Sequence, residues 1–241
     1  MDSDKYKLPA ENISYSLRRF FVDEFNFRYV SQLPKGSIVL DLGGNKLNKR
    51  GFFNIEEYGF NVVYGNYSVE KSPDVQLDAA FLPFRNSVYD AVLCIELLEH
   101  VYQPEKVLEE IARVLTPGGR LFLTVPFMVP FHGDPSDYGR FTEHYLKRLL
   151  DEKGFCCIEI SKQGYFWSVL LDMFRGYLNY ARLNDQRVWA RIWFSLMKKF
   201  VVIGRSRVEK LEPHRVDSHY VNSFTTGFGV VATKAGNLAH K

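Results

Sequence analysis

The chain has 241 residues, 46% of them hydrophobic and 24% charged, which excludes disordered, collagen-like and disulfide-scaffold proteins and fits one domain with an appendage. Thirty-one Lys and Arg against 28 Asp and Glu leave a net charge of +3, too near balance to mark a nucleic-acid coat. Cys94, Cys156 and Cys157 lack the spaced pairs of zinc or redox motifs, the polar start MDSDKYKLPAENIS is unlike a secretory signal, and no apolar run approaches the ~18 residues that span a bilayer. These features lead to the expectation of a cytoplasmic protein.

Apolar residues at helical spacing over 9–33 (Leu17, Phe20, Phe21, Phe25, Tyr29) predict an N-terminal helix ending at Pro34-Lys35-Gly36. Residues 37–42 (SIVLDL) read as a buried strand that runs into a tight turn at Gly43-Gly44-Asn45. Further strands are expected at 61–64, 90–95 and 120–125. Between the last two, Pro104 opens a helix with Val107, Leu108, Ile111, Val114 and Leu115 on one face, and Pro117-Gly118-Gly119 is its expected stop. Strand, helix, strand implies a right-handed parallel crossover. Thr142 suits the N-cap of a second helix that stops at Gly154 before a strand at 155–160. These elements make an open, mostly parallel α/β sheet, whose ligands sit beyond the carboxyl ends of its strands.

After Lys162 the pattern changes. Residues 165–203 are crowded with aromatics and predict two helices, near 166–182 and 185–202, while 224–234 (FTTGFGVVATK) is β-rich and expected to pair at the sheet edge. The chain thus divides into an N-terminal helical segment (1–35), a core (36–163), an aromatic and basic helical insertion (164–216), and a closing strand with its tail (217–241).

The sharpest local feature is VLDLGGN (39–45), an acid at a strand end followed by a turn that suits glycine. It lacks the G-x-G-x-x-G spacing of dinucleotide sites, which disfavours a nicotinamide-dependent oxidoreductase. Taken in order, VLDLGGN, PDVQLDAAFLPF (73–84), YDAVLCIELLEHV (89–101), RVLTPGGRLFLTVPF (113–127) and HGDPSDYGRFT (132–142) resemble the class I S-adenosylmethionine-dependent methyltransferases, in particular small-molecule members of glycan and surface-polysaccharide biosynthesis. The closing TGFGVVATK is similar to that family's last strand.

The resemblance implies a Rossmann-like fold with a seven-stranded, mostly parallel sheet flanked by helices, a helical insertion before the last strand, and S-adenosyl-L-methionine as cofactor. It implies that Asp41 faces the cofactor's amino group, with Gly43, Gly44 and Asn45 forming the turn beside it. Asn66 stands where the family's ribose-binding acid does, Asp78 and Ala79 where the adenine is held, and Glu96 at a strand end facing the cofactor. Leu82 and Phe84 are expected as apolar walls. Asn tolerates positive φ better than other non-glycine residues, so Asn45 is expected to preserve the turn.

Methyl transfer needs an oriented acceptor and, for a hydroxyl, a group that takes its proton. His132 is the expected base, since an imidazole suits proton uptake at neutral pH. Arg140 is expected to hold an anionic group of the acceptor and Tyr138 to join them, with Asp134 and Asp137 on the same loop; the other reading is that Asp137, Tyr138 and Arg140 pin the loop. His100 reads as a packing or hydrogen-bonding residue rather than the base. The six histidines are scattered, so no metal site is expected. The predicted activity is methyl transfer to an O or N atom of a small acceptor, a sugar or lipid-linked glycan being the favoured class. The alternative is a catalytically degenerate binding or scaffold protein, motivated by Asn45 and Asn66.

Residues 175–215 hold ten Lys and Arg against three Asp and Glu, a local +7 that leaves −4 for the rest. This basic, aromatic stretch reads either as a peripheral contact with the anionic inner membrane face or as a sheet cover or homodimer interface. No nucleic-acid partner is expected, for want of a binding motif.

Overall fold

The computed structural model describes residues 8–47, 49–133, 136–184, 188–212 and 219–236. The chain forms two compact units, one of Phe25–Phe127, Phe131–Ser161 and Phe228–Lys241, the other of Met1–Glu24, Met128–Pro130 and Lys162–Gly227. In chain order the strands are β1 (Ile38–Leu42), β2 (Asn61–Asn66), β3 (Val75–Gln76), β4 (Tyr89–Ile95), β5 (Leu115–Pro126), β6 (Phe155–Gln163) and β7 (Gly227–Lys234). The helices are α1 (Leu17–Tyr29), α2 (Pro104–Val114), α3 (Glu143–Glu152), α4 (Phe166–Asn184) and α5 (Val188–Leu211).

The first unit is built on a seven-stranded sheet of order β3-β2-β1-β4-β5-β7-β6. Leu40 of β1 lies opposite Val63 of β2 on one side and Val92 of β4 on the other, both pairings parallel. Strand order reverses between β1 and β4, so the loops after these strands diverge and open a crevice at their carboxyl ends. The glycine turn after Leu42 and the segment after Ile95 both begin at that end of the sheet.

Apolar β-branched runs fill the central strands because both faces are covered. Helix α2 buries Val107, Leu108, Ile111 and Val114, a one-sided pattern that Pro104 in its first turn starts cleanly. At about 1.5–3 kcal/mol for each large apolar side chain removed from water, this face fastens α2 to the sheet. Its end differs from the expectation. Leu115 already pairs with Tyr89, so the helix passes directly into β5, and Pro117-Gly118-Gly119 lies within that strand as an irregularity, with Gly118 at φ +80°. Thr142 caps α3 as expected, its hydroxyl oxygen accepting the Tyr145 N–H at 3.4 Å.

The closing strand also differs. Rather than lying at the edge, β7 sits between β5 and β6, and residues 227–232 are all buried. The run GFGVVA is apolar on both faces, which suits an interior strand and would leave an edge strand exposed to pairing with other chains.

In the second unit α4 and α5 pack as a pair, with Leu171 and Leu178 of α4 and Val201 and Val208 of α5 buried. A Cβ at position 204 would lie 2.6 Å from the Leu171 side chain, so Gly204 allows the close approach. Asp172 of α4 accepts the Leu17 N–H at 3.0 Å and the Arg175 Nε–H at 2.6 Å, and Glu212 accepts from both the N–H and the hydroxyl of Ser168 at 2.6 Å. Helix α5 runs to Leu211, beyond the expected 202; residues 185–187 lie outside the described residues.

Candidate functional site

At the end of β1, Gly43 adopts φ +82° and donates its N–H to the Gly65 carbonyl at 2.8 Å. A Cβ there would meet the Leu97 side chain at 2.9 Å. Gly44 has a different reason to be glycine: a Cβ would fall 2.2–2.4 Å from the Asp41 carboxylate atoms. The Asp41 carboxylate thus occupies the space that Gly44 vacates. Burial raises its pKa from 3.8 to about 6, against the lowering influence of the nearby Lys49 charge. A carboxylate desolvated in this way gains from any cation placed against it.

Asn45 does not preserve the turn in the way expected, for it is absent from the described non-glycine residues with positive φ; Gly43 takes that conformation. Asn66, at the end of β2, donates through Nδ2 to the carbonyls of Gly43 at 2.9 Å and Gly44 at 3.1 Å, and its Oδ1 accepts the Ser68 N–H at 3.0 Å. Both donors are engaged in holding the glycine turn. An Asp at this place could not donate to those carbonyls, which is a physical reason for the amide.

Asp78 forms a local turn, its Oδ1 accepting the Ala80 N–H at 2.9 Å while its carbonyl accepts from Phe81 at 3.0 Å. Ala79 and Leu82 are buried beside it and Phe84 is packed against the same core. The segment is anchored by two residues that sequence reading missed. Arg113 of α2 donates to the carbonyls of Leu82 and Phe84 at 2.9 and 2.7 Å and to Glu110, whose carboxylate also accepts the Leu82 N–H at 2.8 Å. The i, i+3 spacing of Glu110 and Arg113 was visible, but its target on another segment was not.

After β4, Glu96 holds φ +51°, which a non-glycine residue adopts only where its surroundings require it. Its N–H donates to the Thr124 carbonyl at 3.0 Å, and the Thr124 hydroxyl donates to its carboxylate at 3.0 Å. Lys49, which sequence reading did not single out, donates to Tyr64 Oη and Asn54 Oδ1, both at 2.9 Å.

On the loop after β5, Asp137 accepts both terminal nitrogens of Arg140 and the His132 N–H at 3.1 Å, and it lies 3.6 Å from His132 Nδ1. The Arg140 hydrogen bonds hold the Asp137 carboxyl well below the usual carboxylate range. Arg140 therefore pins the loop, with both terminal nitrogens engaged. The Tyr138 N–H donates to the Glu99 carbonyl at 2.7 Å and its ring meets that of Tyr102 edge-on at 5.7 Å. Asp134 lies outside the described residues.

His100 is brought to His132, their rings perpendicular at 5.1 Å. Its Nδ1 faces the Ser136 carbonyl at 2.5 Å, so that nitrogen carries a proton, while Nε2 lies 3.6 Å from the buried Glu99 carboxylate. The expectation of scattered histidines is thus corrected: among the described residues Glu99, His100 and His132 each place a ligand atom within 4.8 Å of the others.

Residues 56–123 match the family model described as the methyltransferase domain. The chain is 28% identical over 179 residues to demethylmenaquinone methyltransferase of Mycolicibacterium paratuberculosis, covering 70% of this chain and 74% of that one. It is 32% identical over 85 residues to ubiquinone biosynthesis O-methyltransferase of Pectobacterium atrosepticum, covering 35% and 31%. The chain spans half or less of the length of the first curated relatives it matches. Among solved structures it resembles the [4+2]-cyclase SpnF, with TM-score 0.56, 18% identity and 90% and 81% of the two chains covered. It also resembles a SAM-dependent methyltransferase from Archaeoglobus fulgidus, with TM-score 0.55, 14% identity and coverage of 90% and 94%. The cyclase shows that this fold can carry other chemistry, so the fold alone does not name a reaction. With its seven-stranded, mostly parallel sheet and flanking helices, the chain has the Rossmann-like fold of these solved structures.

Proposed function

We propose that the chain is an S-adenosylmethionine-dependent methyltransferase acting on an oxygen or nitrogen of a small acceptor, with a sugar hydroxyl of a lipid-linked glycan as the acceptor class. The carrying observation is Asp41, a buried carboxylate raised to about 6 and seated against Gly44 where two divergent loops open. Such a group is a receptor for the cofactor's ammonium, by a charge-assisted pair. Gly43 and Gly44 keep the turn low enough for a ligand to approach its backbone. Asp78 and Ala79 would take the adenine, and Glu96 would face the cofactor from β4. Asn66 acts on the turn, through the Gly43 and Gly44 carbonyls. When bound, the cofactor supplies an electrophilic methyl group on a sulfonium, which leaves the protein to orient the acceptor and take its proton.

His132 takes that proton. Asp137 fixes its backbone and stands beside Nδ1, and Arg140 fixes Asp137, so the imidazole is aimed by a two-step hold. Phe131 and Tyr138 are exposed close to it in sequence, Tyr102 is exposed against the Tyr138 ring, and the three offer aromatic faces to the C–H face of a sugar ring. A second reading, favoured by the name of the ubiquinone biosynthesis O-methyltransferase, has an oxygen of a quinone precursor as acceptor.

Mass spectrometry of reactions with labelled S-adenosylmethionine tests both acceptor classes side by side. With the right acceptor, His132→Ala is expected to lower kcat by about 10²- to 10⁴-fold while the cofactor dissociation constant stays the same. Unchanged turnover would remove His132 as the base. Calorimetry showing no heat with the cofactor or its demethylated product would sink the reading.

A further inference from the structure

We infer that the α4–α5 pair is a docking surface for an anionic lipid bilayer. On α5, Trp193, Leu196, Phe200 and Ile203 follow one another at spacings of three and four, one face of a helix, and each is 45–57% exposed. On α4, Met173, Phe174, Tyr177 and Tyr180 form the matching stripe at 37–65% exposure. The two stripes adjoin: the Phe174 and Phe200 rings are 6.4 Å apart and those of Tyr177 and Trp193 6.2 Å. The opposite faces hold the buried Leu171, Leu178, Val201 and Val208, while the side chains of the stripe keep 37–65% of their surface exposed. Eight large apolar side chains in one exposed patch exceed the scattered surface hydrophobes of an ordinary soluble chain and mark an interaction surface.

Charge selects the occupant. Among the side chains described on α5, at 193–208, Lys198, Lys199 and Arg207 are exposed, Arg205 is buried, and there is no Asp or Glu. Lys199 and Arg207 stand four residues before and after Ile203, beside the apolar stripe, and both are exposed. A second copy of this surface would bring these cations against themselves with no acid on the stripe to pair them. An anionic lipid surface meets them with opposite charge, while Trp and Tyr suit the headgroup depth, polar at one edge and apolar over the ring. No helix among the described residues is long and apolar enough to cross a membrane, so the contact is a helix pair lying in the interface. Each exposed cation near the surface adds to the attraction, and salt screens it.

The test is co-sedimentation of the full chain with vesicles of phosphatidylglycerol and phosphatidylcholine, against phosphatidylcholine alone, at low and high salt. Binding is expected to the anionic vesicles at least about tenfold more tightly than to neutral ones, reversed by salt, with quenching of tryptophan emission by brominated lipid. K199E/R207E, at exposed positions that leave the fold intact, should weaken binding at least about tenfold, and F200S/I203S should abolish the quenching. Circular dichroism and the thermal midpoint of each variant separate lost docking from lost folding. Absence of binding to anionic vesicles at low salt overturns the inference. So does a concentration-dependent dimer in analytical ultracentrifugation that F200S/I203S dissolves, which would assign the surface to a second copy. Methyl transfer to a water-soluble acceptor is measured separately, so failure of docking and failure of the methyltransferase reading are distinct.

Discussion

At Asp41 the folded chain holds a carboxyl group that burial raises from 3.8 to about 6. Between those values the native state binds more protons than the unfolded chain, so stability falls as pH rises through this window and stays lower above it. An ammonium group placed against the carboxylate reverses the penalty, which makes the site unstable when empty and favourable when filled. Asp41→Asn is therefore expected to raise the thermal midpoint of the ligand-free protein at pH 8, to show a shrinking advantage as pH falls toward 4, and to lose cofactor binding by calorimetry. A variant that is less stable at pH 8 would show that Asp41 has a partner in the folded chain. Asp137 has the opposite sign. Its carboxyl is held low by Arg140, so the contribution of that contact is complete above about pH 4, the ordinary range of an aspartate, and is lost only in acid. The loop that carries His132 consequently stays pinned over the neutral range. The motif VLDLGGN pointed to Asp41 from the sequence, because an acid before two glycines at a strand end is a local signal. The engagement of Asn66 with the turn was illegible, since it depends on β2 lying beside β1.

Among the elements, α2 does more than cover the sheet. Its buried face is a matter of periodicity and was legible, yet Glu110 and Arg113 near its C-terminal end reach residues 82–86 and hold the segment that follows Asp78. The Arg113 guanidinium makes five hydrogen bonds in a planar fork, a geometry an ammonium cannot reproduce. Arg113→Lys is expected to destabilise the protein by about 1–3 kcal/mol in denaturant unfolding and to weaken cofactor binding while leaving kcat at saturating cofactor near the native value. An unaltered dissociation constant would show that the segment holds its shape without the clamp. The strand irregularity at Pro117-Gly118-Gly119 belongs to this scale as well. Gly and Pro together read as a helix stop, but Leu115 is recruited by β4 two residues earlier, and the tertiary pairing overrides the local breaker.

For the molecule as a whole, the placement of β7 has the largest consequence. Residues from the far end of the chain lie inside the sheet, between β5 and β6, so the sheet closes only after 226 residues have preceded them. Removal of residues 227–241 is expected to abolish cooperative folding, as read by circular dichroism and a thermal transition, because β5 and β6 lose their common partner and the buried Phe228, Val230 and Ala232 leave the core. A truncated chain that still melts cooperatively would mean that the strand is dispensable, as an edge strand would be. The local charge of +7 between 175 and 215 likewise has meaning only at this scale, since the total of +3 conceals it.

The sequence by itself determined the kinds of elements, the parallel crossovers, the glycine turn with its acid, and the amphipathic faces, because each depends on residues within a few positions of one another. Tertiary structure alone decided the strand order, the interior place of β7, the hold of Asn66 and Arg113 on distant loops, and the meeting of His100 with His132 beside Glu99. Those features join residues 20 to more than 100 positions apart, and no local period or spacing encodes which distant segments the folded sheet will bring together.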